Sequence, residues 1–244
     1  MKLPQAISTL GSRRALELAE QYCAEFKLDW IGNVRHVFNV LVNDQERIPG
    51  NISGSTESLA IKKWVAKFSA GYNNRASERA SNPPGTVADP IIDALIRSRL
   101  EHLDATDVNQ ISYAHRLSMS AENILGLLLE EYLAVRLSDH RWHCAWGETV
   151  KSVDFVHENG GLLQVKNRSN SENSSSSAIR AGTEIKKWYR IKANRVEYMW
   201  SRLNLICNIQ NLSEDDFVDF AINCMRENPS CLAVEQESPW LQPR

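Results

Sequence analysis

What this 244-residue chain lacks narrows it first. No stretch approaches the roughly 18 uninterrupted apolar residues of a membrane-spanning helix. The opening MKLPQAISTLGSRR has no apolar core of a secretory signal. The five cysteines (Cys23, Cys144, Cys207, Cys224, Cys231) are odd in number and never spaced C-x-x-C. That pattern excludes a disulfide framework or a zinc ribbon and implies reduced core thiols in a cytoplasmic protein. His140, His143 and Cys144 form the one sequence cluster worth inspecting for zinc. Charge of one sign is missing too. With 28 basic and 30 acidic residues the net charge is −2, which argues against polycation-style binding of nucleic acid but leaves room for a local basic cleft. What remains is a soluble globular composition, 43% hydrophobic and 24% charged, long enough to bury a sizeable core.

Periodicity then divides the chain. Residues 1–115 read as mainly helical: ALELAEQYCAEF and NVRHVFNVLVND repeat apolar residues at helical spacing, and the pattern recurs over 56–72 and again from Pro90. The 81–90 connection, SNPPGTVADP, is rich in turn residues. Arg75 and Arg79 beside it could touch a nucleic-acid backbone, although solvated loop charge is the simpler reading. Residues 116–244 form a second region. Within it, 118–137 predicts a helix with Ile124, Leu125, Leu128, Leu129, Tyr132 and Leu133 on its apolar face. Ser118 or Ser120 offers the N-cap, and Glu122 suits the positive end of the helix dipole. Gly126 costs about 1 kcal/mol relative to alanine there, so close packing is expected at that position. Residues 203–209 read as a core strand, 213–227 as an acidic amphipathic helix capped by Ser213, and 228–244 as an irregular tail.

The chemistry concentrates in 152–168, SVDFVHENGGLLQVKNR, which reads as a hairpin over 152–158 and 161–167. Side chains alternate along a strand, so Gln164 and Lys166 share a face that Leu163 and Val165 do not. A three-residue Asn159-Gly160-Gly161 loop sets Asp154 opposite Lys166 on the face of Gln164, about 4.5–5.5 Å apart directly across. A two-residue loop would turn the acid to the other face. An acid and an amide oxygen beside a lysine suit Mg²⁺-assisted attack on a phosphodiester, because Mg²⁺ takes oxygen ligands and lysine can position water or meet developing charge. A hairpin with a merely polar outer face is the plainer alternative.

The order helix, connection, acid-bearing hairpin resembles the PD-(D/E)xK nucleases. Gly126-Leu-Leu-Leu-Glu130 fits the G-x-x-x-E helix motif many of them carry. With the run Gln164-Val-Lys-Asn-Arg168 and the Ser/Asn tract after it, residues 118–190 resemble type II restriction endonucleases, most closely the SinI-like group that cuts GGWCC-type sites. The resemblance implies an α/β fold: a mixed central sheet flanked by helices, with a helical N-terminal region that serves dimerisation or embraces DNA. It also implies a Mg²⁺-dependent homodimer that cuts short palindromic duplex DNA and is paired with a cognate DNA methyltransferase. Gln164 departs from the family's second acid. Glu130 is the first candidate to supply the missing carboxylate and Glu122 the second, with Glu172 and Glu184 ranked lower. Asp154, Gln164, Glu130 and Glu122 would then form the metal set, and Lys166 would complete the catalytic group.

Sequence reading is expected from the polar tract 167–177, where Asn167, Arg168, Asn170, Ser171, Asn173 and Ser174 can meet phosphates or base edges. Arg180 flanks the tract, and Lys186, Lys187 and Arg190 follow on a predicted basic helix. A structure-specific or repair nuclease of the same fold would need no such tract, and a non-catalytic DNA-binding protein would not need Asp154 and Lys166.

Overall fold

Among the described residues, four strands form one mixed sheet in the order β1-β2-β3-β4: β1 (Trp142–Cys144), β2 (Phe155–His157), β3 (Leu162–Arg168) and β4 (Lys186–Ile191). β1–β2 and β2–β3 pair antiparallel, while β3–β4 pair parallel. Among the described residues, eight α-helices accompany the sheet: α1 (Leu3–Leu10), α2 (Ser12–Glu25), α3 (Arg35–Asn43), α4 (Glu57–Asn73), α5 (Pro90–Arg99), α6 (Ala105–Leu137), α7 (Trp200–Cys207) and α8 (Glu214–Glu227). A computed structural model describes residues 1–85, 89–168, 184–192 and 194–241. This is the α/β class implied above, with the helical N-terminal region. Among the described residues no helix is long and apolar enough to cross a membrane.

Two elements differ from their sequence reading. Residues 186–191, expected as a basic helix, are β4, because Trp188 and Arg190 alternate into the interior and the backbone pairs with β3 from Leu163↔Lys186 to Arg168↔Ile191. Residues 203–209, expected as a strand, fall mostly in α7. Its one-sided burial (Trp200, Leu203, Cys207) follows the helical period, and Asn208 closes it in the left-handed region at φ 56°.

Contacts divide the described chain into two units, 1–75 with 129–220 and 76–128 with 221–244. The expected divide at 115/116 is crossed by α6, which runs unbroken through it. Gly126 is not a close-packing point either, since a Cβ there would meet nothing within 4 Å.

In the first unit the core includes two large aromatic groups. Phe38 and Trp64 lie 4.8 Å apart between α3 and α4, and Trp64 donates its indole N–H to the Thr149 carbonyl at 3.0 Å. Around β4, Trp188 meets Trp200 at 5.1 Å, and Tyr132 meets Trp200 and Phe217 at 5.7 and 5.3 Å. Tyr132 donates its hydroxyl to Asp216, which Arg136 also clamps through both carboxylate oxygens. In the second unit, Asn228 donates to the carbonyls of Ala76 and Arg79, and Arg116 pairs with Glu235. α5 buries no residue, and Ile91, Ile92 and Leu95 are exposed on it.

One contact sets the position of the 146–148 turn. A Cβ on Gly71 of α4 would lie 2.2 Å from the Gly147 nitrogen, and one on Gly147 (φ +73°) would lie 2.4 Å from the Lys67 carbonyl oxygen. The two backbones touch only because both residues are glycine. Ala at position 71 gains about 1 kcal/mol of helix propensity. It also meets main chain that cannot swing aside, at the upper end of the roughly 1–3 kcal/mol overpacking range. Gly71→Ala is therefore expected to lower stability by roughly 2 kcal/mol in chemical denaturation; an unchanged midpoint would show that the 146–148 turn yields freely.

Candidate active site

A cleft of about 350 Å³ is lined by Asn51 and its neighbours, Lys67 of α4, Glu148, the 150–154 segment, and Gln164 and Lys166 of β3. The structure thus brings Asp154, Gln164 and Lys166 to one cavity. Their pairing differs in detail from the expected one. The observed partners are Phe155↔Leu163 and Val156↔Leu162, with His157 N–H donating to Gly161 O at 2.8 Å. That register is two residues from the expected one, in which Phe155 would face Val165, and Asp154 itself stands just outside the paired residues. The loop is 158–160, closed by Gly160 at φ +91° donating to the His157 carbonyl. A slip of two residues leaves every side chain on its face, so the shared face survives.

Asp154 stands one residue ahead of β2, with its peptide N–H donating to Leu163 O and its carbonyl accepting from Ala145. The strand ends there, and the Asp154 carboxylate accepts the Val165 N–H through Oδ2 at 2.7 Å. The acid is oriented by the sheet itself. Gln164 is 4% exposed, and no hydrogen-bond donor among the described residues reaches its Oε1. A buried amide oxygen normally finds a partner, so this one fits an oxygen-seeking cation.

Glu130, on α6, feels the same site. Burial first, then the negative charge of Asp154, pushes its pKa from 4.5 up to about 7, while Lys166 pulls the other way and Glu148 adds to the rise. Glu148 itself escaped the sequence reading. It lines the cleft with Asp154 and adopts a left-handed backbone at φ 54°, as Ser152 does at 62°. Two non-glycine residues in that region beside one cleft mark a backbone held by its surroundings. The Gly71–Gly147 contact holds one side of the turn, and Lys67 donates its ammonium to the Glu148 carbonyl at 3.2 Å. No local motif signals this, because the partners come from α4 and from a loop far along the chain.

The other expected site residues scatter. Glu122 lies eight residues before Glu130 on α6, which at 1.5 Å per residue is about 12 Å along the axis, too far for both to ligate one ion. Arg190 is 8% exposed; its Nε donates to Asn167 Oδ1 at 2.9 Å and its guanidinium pairs with Glu214. Both Asn167 and Arg190 are thus engaged inside the protein. Strand alternation also separates the two lysines. Lys187 pairs with Gln164 and shares its face, whereas Lys186 falls on the face of Arg190. Lys166, Arg168 and Lys186 are exposed, and so is Glu184 ahead of β4. Arg75 pairs with Glu131 at 3.3 Å. Asn170, Ser171, Glu172, Asn173, Ser174 and Arg180 lie outside the described residues. Cys144 is buried with its thiol pKa pushed well up, first by burial, so it offers no ready zinc thiolate.

A short mixed sheet that sets an acid, an amide and a lysine around one cleft, with a glutamate on α6 that feels their charge, is the arrangement expected of a PD-(D/E)xK nuclease core. The sequence comparisons narrow the class. The model of the SinI restriction endonuclease family matches residues 55–227. Type II restriction enzyme SinI of Salmonella infantis is 34% identical over 224 residues, covering 87% of this chain and 95% of that protein. Type II restriction enzyme Eco47I of Escherichia coli is 42% identical over 167 residues, covering 66% and 72%. The chain belongs to the SinI restriction endonuclease family.

Proposed function

We propose that this protein is a type II restriction endonuclease. In this reading it hydrolyses phosphodiester bonds within a short palindromic duplex site, of the GGWCC type that the SinI-like group cuts. The carrying observation is the cleft that unites Asp154, Gln164 and Lys166. The donor chemistry at the cleft suits Mg²⁺: the Asp154 carboxylate and the unpartnered Gln164 Oε1 would hold it, and Glu130, whose carboxyl feels the charge of Asp154, is the acid proposed to join them. When bound, the ion would polarise the scissile phosphate and acidify a water.

The chain's own groups do the rest. Val165 N–H holds the Asp154 carboxylate in one orientation, so little reorganisation accompanies binding. Lys166, exposed on the cleft face, can hold the attacking water or meet the charge that develops on the phosphate. Glu130 supplies the negative charge that Gln164 lacks once it ionises, and its raised pKa ties that charge to pH above about 7. Lys187 and Arg168 extend the basic lining of the same sheet face, where the DNA backbone would run. Asn170, Ser171, Asn173, Ser174 and Arg180 remain the proposed base-reading set.

A palindrome is cut on both strands most simply by a two-fold dimer. Residues 1–115 are the proposed source of dimer or DNA-embracing contacts. α5, with exposed Ile91, Ile92 and Leu95 and no buried residue, offers a surface that a second copy would cover. Incubation with plasmid DNA and Mg²⁺, followed by sequencing of the ends, tests the reading. Discrete ends at one palindrome, from a protein that light scattering reports as a dimer, are expected. A smear, cleavage set by DNA structure, or duplex binding without cuts would replace it with another function.

A further inference from the structure

Away from the cleft, three side chains from distant parts of the sequence converge. His36 comes from α3, His143 from β1, and Glu158 from the loop after β2. One ligand atom from each lies within 4.8 Å of the others. The two imidazoles stack nearly parallel, 5° apart in plane with centroids at 4.1 Å. The Nε2 atoms of His143 and His36 stand 3.3 and 3.8 Å from the same oxygen, Glu158 Oε1.

The surroundings suit a ligand set better than a plain ion pair. Arg141 donates to Glu158 Oε2 at 2.7 Å, which fixes the carboxylate and leaves Oε1 turned to the two rings. The His143 side chain is 8% exposed, those of His36 and Glu158 about a quarter. Two imidazoles face to face gain nothing from each other's charge. A cation on Glu158 Oε1 and both Nε2 atoms would satisfy all three once one ring turns out of the stack, because an imidazole lone pair lies in the plane of its ring.

We propose that His36, His143 and Glu158 form a second metal site that takes a borderline divalent cation of the Zn²⁺ type. Two nitrogens and one oxygen are the donors such ions prefer, whereas Mg²⁺ asks for oxygens alone. Three protein ligands leave a fourth position for water. The site would pin α3 to the β1–β2 pair, on the sheet that carries Asp154 but through residues that do not line the cleft. It is independent of the Mg²⁺ proposed at Asp154.

Zinc titration of the full chain against a chromogenic chelator, with Zn²⁺ alone as the probe, tests this. The wild-type protein is expected to bind one equivalent with a rise in Tm, and Asp154→Ala is expected to bind the same equivalent. His36→Ala and His143→Ala should each lose the equivalent and the Tm rise, and Glu158→Gln should weaken both. His36 is the more exposed of the two rings, so His36→Ala carries the test if His143→Ala does not fold. Undiminished binding in His36→Ala, no binding by wild type at micromolar zinc, or loss only in Asp154→Ala would overturn the site.

Discussion

Asp154→Ala and Lys166→Ala are expected to abolish cleavage while leaving cognate binding in Ca²⁺ largely intact. A group that acts on the transition state typically contributes a few kcal/mol, roughly 10²–10³ in rate. The two variants reach that loss by different routes. Lys166 is exposed at the cleft, so its removal deletes an ammonium with little effect on packing. Asp154 also accepts the Val165 N–H, and alanine there leaves a strand donor unpaired. Asp154→Asn keeps that hydrogen bond and removes only the charge, so it separates the two roles. If the asparagine variant folds as wild type and is still at least 10²-fold slower, charge at the cleft carries the reaction. Cleavage at the wild-type rate in Asp154→Asn or Lys166→Ala would remove the mechanism, whatever the binding data show.

The sharing of a face by Asp154, Gln164 and Lys166 could be read from sequence even though the loop was placed one residue late. The strand period is two, and the error in register was also two. An odd slip would have lost the site. Glu148 could not be read this way. It reaches the cleft through a turn that two glycines, Gly71 and Gly147, let α4 approach, and nothing near Glu148 in sequence announces a partner on α4. His36 and His143 are hidden for the same reason, which is why the local cluster His140, His143 and Cys144 drew attention to the wrong neighbours.

The errors in element type have local causes. Lys186-Lys-Trp-Tyr-Arg-Ile carries no decisive period, and its strand state comes from parallel pairing with β3, a non-local contact. Residues 203–209 offer too few apolar positions to separate a period of two from one of 3.6. Asn208, in the left-handed conformation that commonly ends helices, was the available signal for α7. Glu122 fails on distance along a single helix, an argument that needs no tertiary structure at all.

Glu130 should show opposite effects on stability and activity. With metal chelated, its carboxyl has a pKa of about 7 in the folded protein against 4.5 for an ordinary glutamate, chiefly through burial and then through Asp154. Below pH 4.5 both states hold the proton, and the folded protein carries no penalty. Between 4.5 and about 7 the unfolded chain releases the proton while the folded protein keeps it, so stability falls as pH rises. Above 7 the loss is complete, on the order of 3 kcal/mol. Glu130→Gln removes the ionisation and keeps the shape. The metal-free variant should therefore match wild type near pH 4.5 and exceed it in denaturation midpoint at pH 8. Mg²⁺ should reverse the order, because only ionised Glu130 adds charge to a donor set whose other β3 ligand is the neutral Gln164. Cleavage by the variant should accordingly drop, most visibly at limiting Mg²⁺, and should no longer rise through pH 7. If Glu130→Gln is no more stable than wild type at pH 8 without metal, the carboxyl is not held in the environment described. If it is more stable yet cleaves with unchanged Mg²⁺ dependence, the charge missing at Gln164 is supplied elsewhere, and Glu148 is then the acid to replace.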